Sequence, residues 1–140
     1  MAMEQTAYLR HEAVPQRPAL QAAIDALGFD LKTDDSYAPF KSSGFLPCML
    51  KGKLSGFEIY FDAVAETLAI YTHLVSAVGS RDAAIGFRWG GHMEELACVL
   101  IVSAALAKSF GAVVHYHDDH ILSSADQLIE EAKWVLKEIS

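Results

Sequence analysis

Residues 96–107, LACVLIVSAALA, form an unbroken apolar run in which a single serine is the only polar side chain. A helix this apolar on every side has no face to offer to water. It also falls well short of the roughly twenty residues a bilayer span needs, so the spacing predicts a helix buried inside protein. Around it the text reads as a frame: a strand ending at Trp89, a Gly90-Gly91 break, the helix, a stop at Gly111, and a short buried strand at Ala112-Val113-Val114. The stretch from Phe87 to Asp119 therefore carries the core.

The rest of the composition bounds what can surround that core. With 140 residues, 52% of them apolar and 21% charged, the chain fits one domain that buries enough surface to order its backbone. A formal charge of −7 disfavours a phosphate backbone as partner and favours a basic or neutral one, so nucleic acid is not expected. Cys48 and Cys98 lie fifty positions apart in apolar text and read as packed thiols of a reducing compartment, with a single bridge left open. The N-terminal text lacks a basic region followed by an apolar run and a cleavage site, so a cytoplasmic protein without membrane contact is expected. Residues 1–15 show no sustained period and are expected to be a flexible arm, with 16–140 as the single domain.

Along the chain, Pro18 opens a helix with Leu20, Ala23, Ile24 and Leu27 on one face and Gly28 as its stop. Residues 30–44 are expected to form a long loop. Phe45–Leu50 and Gly56–Phe61 flank Lys51-Gly52-Lys53 as a hairpin, in which Pro47 demands an edge or a bulge. Asp62 is expected to cap a helix that runs to Gly79, and Ile85, Phe87 and Trp89 mark a further strand. Ser124 with Gln127 reads as the capping box of a last helix. These elements predict an α+β sandwich: a largely antiparallel sheet of about four strands packed by about four helices.

Among motifs that bear chemistry, His115-Tyr116-His117-Asp118-Asp119-His120 is the most conspicuous. It fits H-x-H-x-D-H, the metal-binding signature of metallo-β-lactamase-like hydrolases, and His115, His117, Asp119 and His120 have side chains suited to hold zinc and activate water. That fold needs further ligands downstream, and the twenty residues after His120 contain no histidine. The competing reading is a solvated strand end and turn, with no metal or cofactor. Gly90-Gly91-His92 reads as a tight turn rather than an anion site, because Glu94 and Glu95 would repel a phosphate. Glu58 and Asp62 are explained as an exposed strand residue and a helix cap. No serine or cysteine stands in a nucleophile pattern. Trp89, Tyr37, Phe40 and Tyr60 sit beside loops or on a wet sheet face, where aromatics ringed by carboxylates make a protein-binding patch.

Taken together, a short N-terminal helix, FKSSGFLPC, SGFEIYFD, the FRWGG turn, AALAKSFGAVV and the final SADQLIEEAK helix resemble small bacterial immunity proteins of polymorphic toxin systems delivered by contact-dependent, Rhs or type VI routes. The resemblance covers about Ala19 to Ile139 and rests on fold-bearing motifs. It implies a cytoplasmic protein that blocks a cognate toxin domain by binding it, without catalysis of its own. Asp34, Asp35, Tyr37 and Phe40 in the long loop, with Trp89, Asp118 and Asp119, are the expected partner contacts. A metal-dependent hydrolase at 115–120 is the alternative. A third reading, a small-molecule-binding or self-associating scaffold, would call for a pocket lined by Trp89 and Tyr60.

Overall fold

The structure, a computed structural model, describes residues 3–139. Its centre is a six-stranded antiparallel sheet in the order β2-β3-β4-β5-β1-β6. The strands are β1 (Met3–Leu9), β2 (Leu31–Thr33), β3 (Gly44–Leu50), β4 (Lys53–Asp62), β5 (Ala83–Trp89) and β6 (Val113–Tyr116). The helices are α1 (Arg17–Ala26), α2 (Val64–Ile70), α3 (Val75–Val78), α4 (Met93–Ser109) and α5 (Ala125–Glu138), with 3₁₀ turns at His11–Ala13 and Thr72–Leu74. The α+β class and the antiparallel sheet agree with the sequence reading, which expected about four strands and four helices.

α4 is the apolar helix, and its ten consecutive residues from Ala97 to Leu106 are all buried. It packs between α1 and α5 and against one face of the sheet. That inner face carries Ala7, Leu46, Cys48, Phe57, Ile59, Ile85, Phe87 and Val114. On the outer face, α2, the 3₁₀ turn and α3 cover Tyr8 and Ala84 with Leu74 and Val78. Both faces are thus closed over β5, β1 and β6, whereas the outer face of β3 and β4 is left open. Phe45 and Leu54 stand there in solvent.

The largest departure from the sequence reading is the N-terminal arm. Met3–Leu9 is a strand between β5 and β6, and Ala7, Tyr8 and Leu9 are fully buried. Met1 and Ala2 lie outside the described residues. Period-two alternation is missing because every residue from Gln5 to Leu9 is buried, on whichever face it falls. The polar members find partners: Gln5 donates to Ser103 Oγ at 2.8 Å, and Thr6 Oγ1 meets His117 Nε2 at 2.8 Å.

Smaller departures have local causes. β2 lies within the stretch expected to be loop, where three residues are too few to show a period. The expected helix from Asp62 to Gly79 breaks at Tyr71 (φ −109°, ψ 63°), and Asp62 closes β4 while Ala63 takes the N-cap position. The hairpin is confirmed, with a two-residue turn at Lys51-Gly52 in which both residues have positive φ. Pro47 sits where β3 has no neighbour on its β2 side, since β2 reaches only Cys48. Ser124 and Gln127 form the reciprocal capping box. Cys48 and Cys98 are free thiols, buried, with sulfurs 3.2 Å apart. The contact with Cys98, then burial, pushes the Cys48 thiol well above its ordinary range.

Candidate functional site

The residues singled out from sequence fall at opposite ends of the sheet. Register fixes the geometry: Ala83 pairs with Leu9 at one end of β5 and Trp89 with Met3 at the other.

At the first end lies the loop between β2 and β3. Phe40 is in the left-handed region (φ 64°) and 42% exposed, a conformation that costs a bulky L-residue roughly 1–2 kcal/mol. Its ring stacks on His11 at 4.1 Å and tilts against Phe61 at 5.2 Å. The loop beneath it is tied at many points. Ala38 donates its N–H to Ser42 Oγ, and the Ala38 carbonyl accepts from Lys41 and Ser42. Asp34 accepts from the backbone and hydroxyl of Ser36, bonds that hold its carboxyl below the usual range. Arg17 reaches both the Thr33 carbonyl and the exposed Asp35 carboxylate. The Asp82 carboxylate accepts from the His11 N–H at 2.7 Å, which holds its carboxyl low, and Glu12 pairs with Arg10.

Tyr37 belongs to the same loop but not to its surface. It is 6% exposed, its hydroxyl donates to the Pro15 carbonyl at 3.0 Å, and burial pushes its pKa up to about 12. The expectation that Tyr37 contacts a partner is therefore corrected: it anchors the loop from below. Phe40 and Asp35 are exposed on the same loop, and Asp34 is half-buried. Sequence reading missed His11, Glu12 and Asp82, because nothing local shows that the turn after β1 folds against this loop.

At the second end, Trp89 is corrected as well. It lies on the inner face, 3% exposed, 6.2 Å from the Tyr116 ring. Tyr60 is on the outer face, where its hydroxyl donates to Glu58, so the two share no pocket. Trp89 instead lines a cavity of about 220 Å³ with Met3, Leu100, Tyr116, Asp119 and Glu131 among its walls. Burial, and secondarily Asp119, raise the Glu131 carboxyl above its usual range. Asp118 is exposed and accepts from the Tyr116 hydroxyl at 3.3 Å. Glu131 was missed in the sequence because it sits just beside the buried stripe of α5, next to Ala132.

The HYHDDH segment is more structural than its expected solvated turn. His115 is fully buried on β6, and burial lowers its pKa, so the neutral ring donates from Nε2 to the Asp119 carbonyl at 2.8 Å. His117 bonds Thr6 and lies 3.5 Å from the Glu4 carboxylate. His120 stacks on His73 at 4.2 Å, and its carbonyl accepts from His73 Nε2. Tyr71 meets the rings of His115 and His117 at 4.7 and 5.0 Å. These rings fasten the turn after β6 to the outer layer. Among the described residues, no three His, Cys, Asp or Glu side chains converge on a point that could hold a metal ion.

No protein-family model, curated protein or solved structure matches the chain. Among the described residues, no helix is long and apolar enough to cross a membrane.

Proposed function

We propose that the chain is an immunity protein that binds and neutralises a toxin domain through the Phe40 end of its sheet, without catalysis of its own. The observation that carries this reading is Phe40 itself: an exposed aromatic held in a costly conformation by a loop hydrogen-bonded along its length. A side chain fixed in advance loses little freedom on binding, and aromatic anchors dominate interface energies. The loop and the turns beside it carry Asp34, Asp35, Glu12 and Asp82, of which Asp35 and Glu12 pair with Arg17 and Arg10, and the overall charge of −7 suits a basic partner surface. The resemblance to immunity proteins supports the same class. The arrangement of His115, His117, Asp119 and His120 offers no observation that favours the hydrolase alternative.

The test is a calorimetric titration of the purified chain against the product of any toxin gene found beside its own, paired with rescue of growth in cells expressing that toxin. Tight binding and rescue are expected, and Phe40→Ala is expected to weaken binding about thirtyfold, the scale of a hot-spot residue. Absence of both binding and rescue rejects the function. Binding that ignores Phe40 and Asp35 substitutions rejects the surface.

A further inference from the structure

Cys48 and Cys98 have no role in the reading above, and chain position alone gives no reason for them to meet. They are the two cysteines of the chain, fifty positions apart, yet their sulfurs lie 3.2 Å from each other. Cys48 is on β3 and Cys98 on α4, so the contact spans the interface between the sheet and its central helix. A disulfide bond measures about 2.0 Å, so joining the two sulfurs asks for roughly 1 Å of movement between them. With no third cysteine, the pair has no competing partner within the chain.

Ser55 is the third member of the group. It stands opposite Cys48 in the β3–β4 register, and its hydroxyl donates to Cys98, as does the Cys48 thiol. Donors aimed at one sulfur favour its thiolate: Cys48, and to a smaller extent Ser55, lower the Cys98 pKa against the opposing effect of burial, while Cys48 keeps its proton. A nucleophilic sulfur therefore touches a second thiol. Burial decides which reagents reach it. Cys98 is 0% and Cys48 3% exposed, so a protein or tripeptide disulfide has no access to either sulfur. Ser55, however, is half-buried and lines two open surface hollows of about 450 and 410 Å³, with Lys53, Leu54 and Glu94 common to both. Solvent thus comes within one hydroxyl of the Cys98 sulfur, a last step that only a molecule near the size of water can take.

We infer that Cys48 and Cys98 are a modification site for a small hydroperoxide, which converts them in the folded protein to an internal disulfide joining β3 to α4. The Cys98 sulfur attacks one oxygen of hydrogen peroxide and the O–O bond breaks. The leaving hydroxide takes the proton given up by Cys98 and departs as water, and Cys98 becomes a sulfenic acid. The Cys48 sulfur then displaces the sulfenic oxygen: the S–S bond forms, the S–O bond breaks, and the oxygen leaves as a second water with the Cys48 proton. The two sulfurs together lose two electrons and the peroxide gains them. The site lies in the core and shares no residue with the Phe40 surface, so the inference stands whether or not the toxin-binding reading holds.

The full chain, folded and at neutral pH, is treated with hydrogen peroxide or with oxidised glutathione, then denatured, alkylated and analysed by intact mass. Peroxide is expected to consume both thiols within a single chain, with loss of two hydrogens and no added oxygen, and dithiothreitol in urea is expected to restore them. Oxidised glutathione is expected to leave both thiols free until urea opens the fold. The oxidised chain is expected to melt about 10 °C higher, since the bond closes a loop of fifty residues. In Cys48→Ser no second thiol displaces the oxygen, so dimedone is expected to trap the sulfenic acid on Cys98. In Cys98→Ser the labelling of Cys48 is expected to be at least tenfold slower. Ser55→Ala, which withdraws one donor, is expected to slow disulfide formation severalfold while circular dichroism stays unchanged. The inference is overturned if the folded parent chain keeps both thiols in excess peroxide, if it gains oxygen instead of closing the bond, or if oxidised glutathione closes the bond as readily. Dimedone labelling that favours Cys48 overturns the assignment of Cys98 as the attacking sulfur.

Discussion

The two ends of the sheet expose aromatic chemistry in opposite ways. At one end Phe40 lies at the surface, half-exposed, its backbone in the left-handed region and its ring stacked on His11 and packed against Phe61. At the other, Trp89 and Tyr116 withdraw into the wall of a cavity and leave Asp119 and Glu131 near solvent. A ring at the surface is available to a partner, whereas a recessed pair is not. Acidic groups surround both, so net charge alone does not distinguish them, but the position of the rings does.

The two ends share one support, the β1 strand. It holds β6 to β5, its Met3 lines the cavity, and the chain leaving Leu9 supplies His11 beneath Phe40. Deleting residues 1–10 is therefore expected to erase the contrast by abolishing cooperative unfolding, read by loss of a sigmoidal melting transition. A truncated chain that still melted cooperatively would return this segment to the status of an arm.

Replacing the strained ring sharpens the contrast. Phe40→Gly removes the left-handed penalty of roughly 1–2 kcal/mol while losing the stacking on His11 and Phe61, so stability is expected to stay within about 1 kcal/mol of the parent. Partner affinity, in contrast, is expected to fall by thirtyfold or more. Urea unfolding beside calorimetric binding separates the two. A glycine variant that bound normally would show that the strain serves packing alone.

The smallest effect concerns pH and acts at the cavity end. Burial lowers the His115 pKa below its ordinary 6.5, so the folded protein favours the neutral ring. That contribution to stability is complete above 6.5 and is lost as pH falls through the lower, folded value. Glu131 and Asp62 act with the opposite sign at lower pH, since their raised values favour the protonated folded form. Stability is thus expected to decline gently below about pH 6.5 and to be partly offset once these carboxyls protonate. Melting temperature against pH should lose the first decline in His115→Asn. Hydrogen exchange should place the early opening at residues 115–123, leaving the Phe40 loop protected.

Helix α4 was legible because apolarity on every side has one solution in a folded chain, and the hairpin because turn chemistry and alternation are local signals. β1 was not, because a strand with both faces covered loses its period, and its polar Gln5 and Thr6 depend on Ser103 and His117, about a hundred residues away. The site followed the same division. Phe40, Asp34 and Asp35 share one loop, which follows from their nearness in sequence. Tyr37 and Trp89 turned inward because sequence does not say which side of a strand or loop the other layers occupy. Glu131 faces Asp119 across the turn after β6, a proximity that tertiary folding alone creates.

Pro47 has a consequence for how copies of this protein meet in a crowded solution. Along residues 44–47 β3 runs with no neighbour on one side, an opening where a foreign strand could add to the sheet and seed polymerisation. A proline has no N–H to offer there, and the partial cover from β2 ends one residue later. At the far margin, Ser123 folds back to bond Val114 on β6. The chain that carries a strained loop and an open sheet face thus keeps both of its margins resistant to strand-by-strand growth.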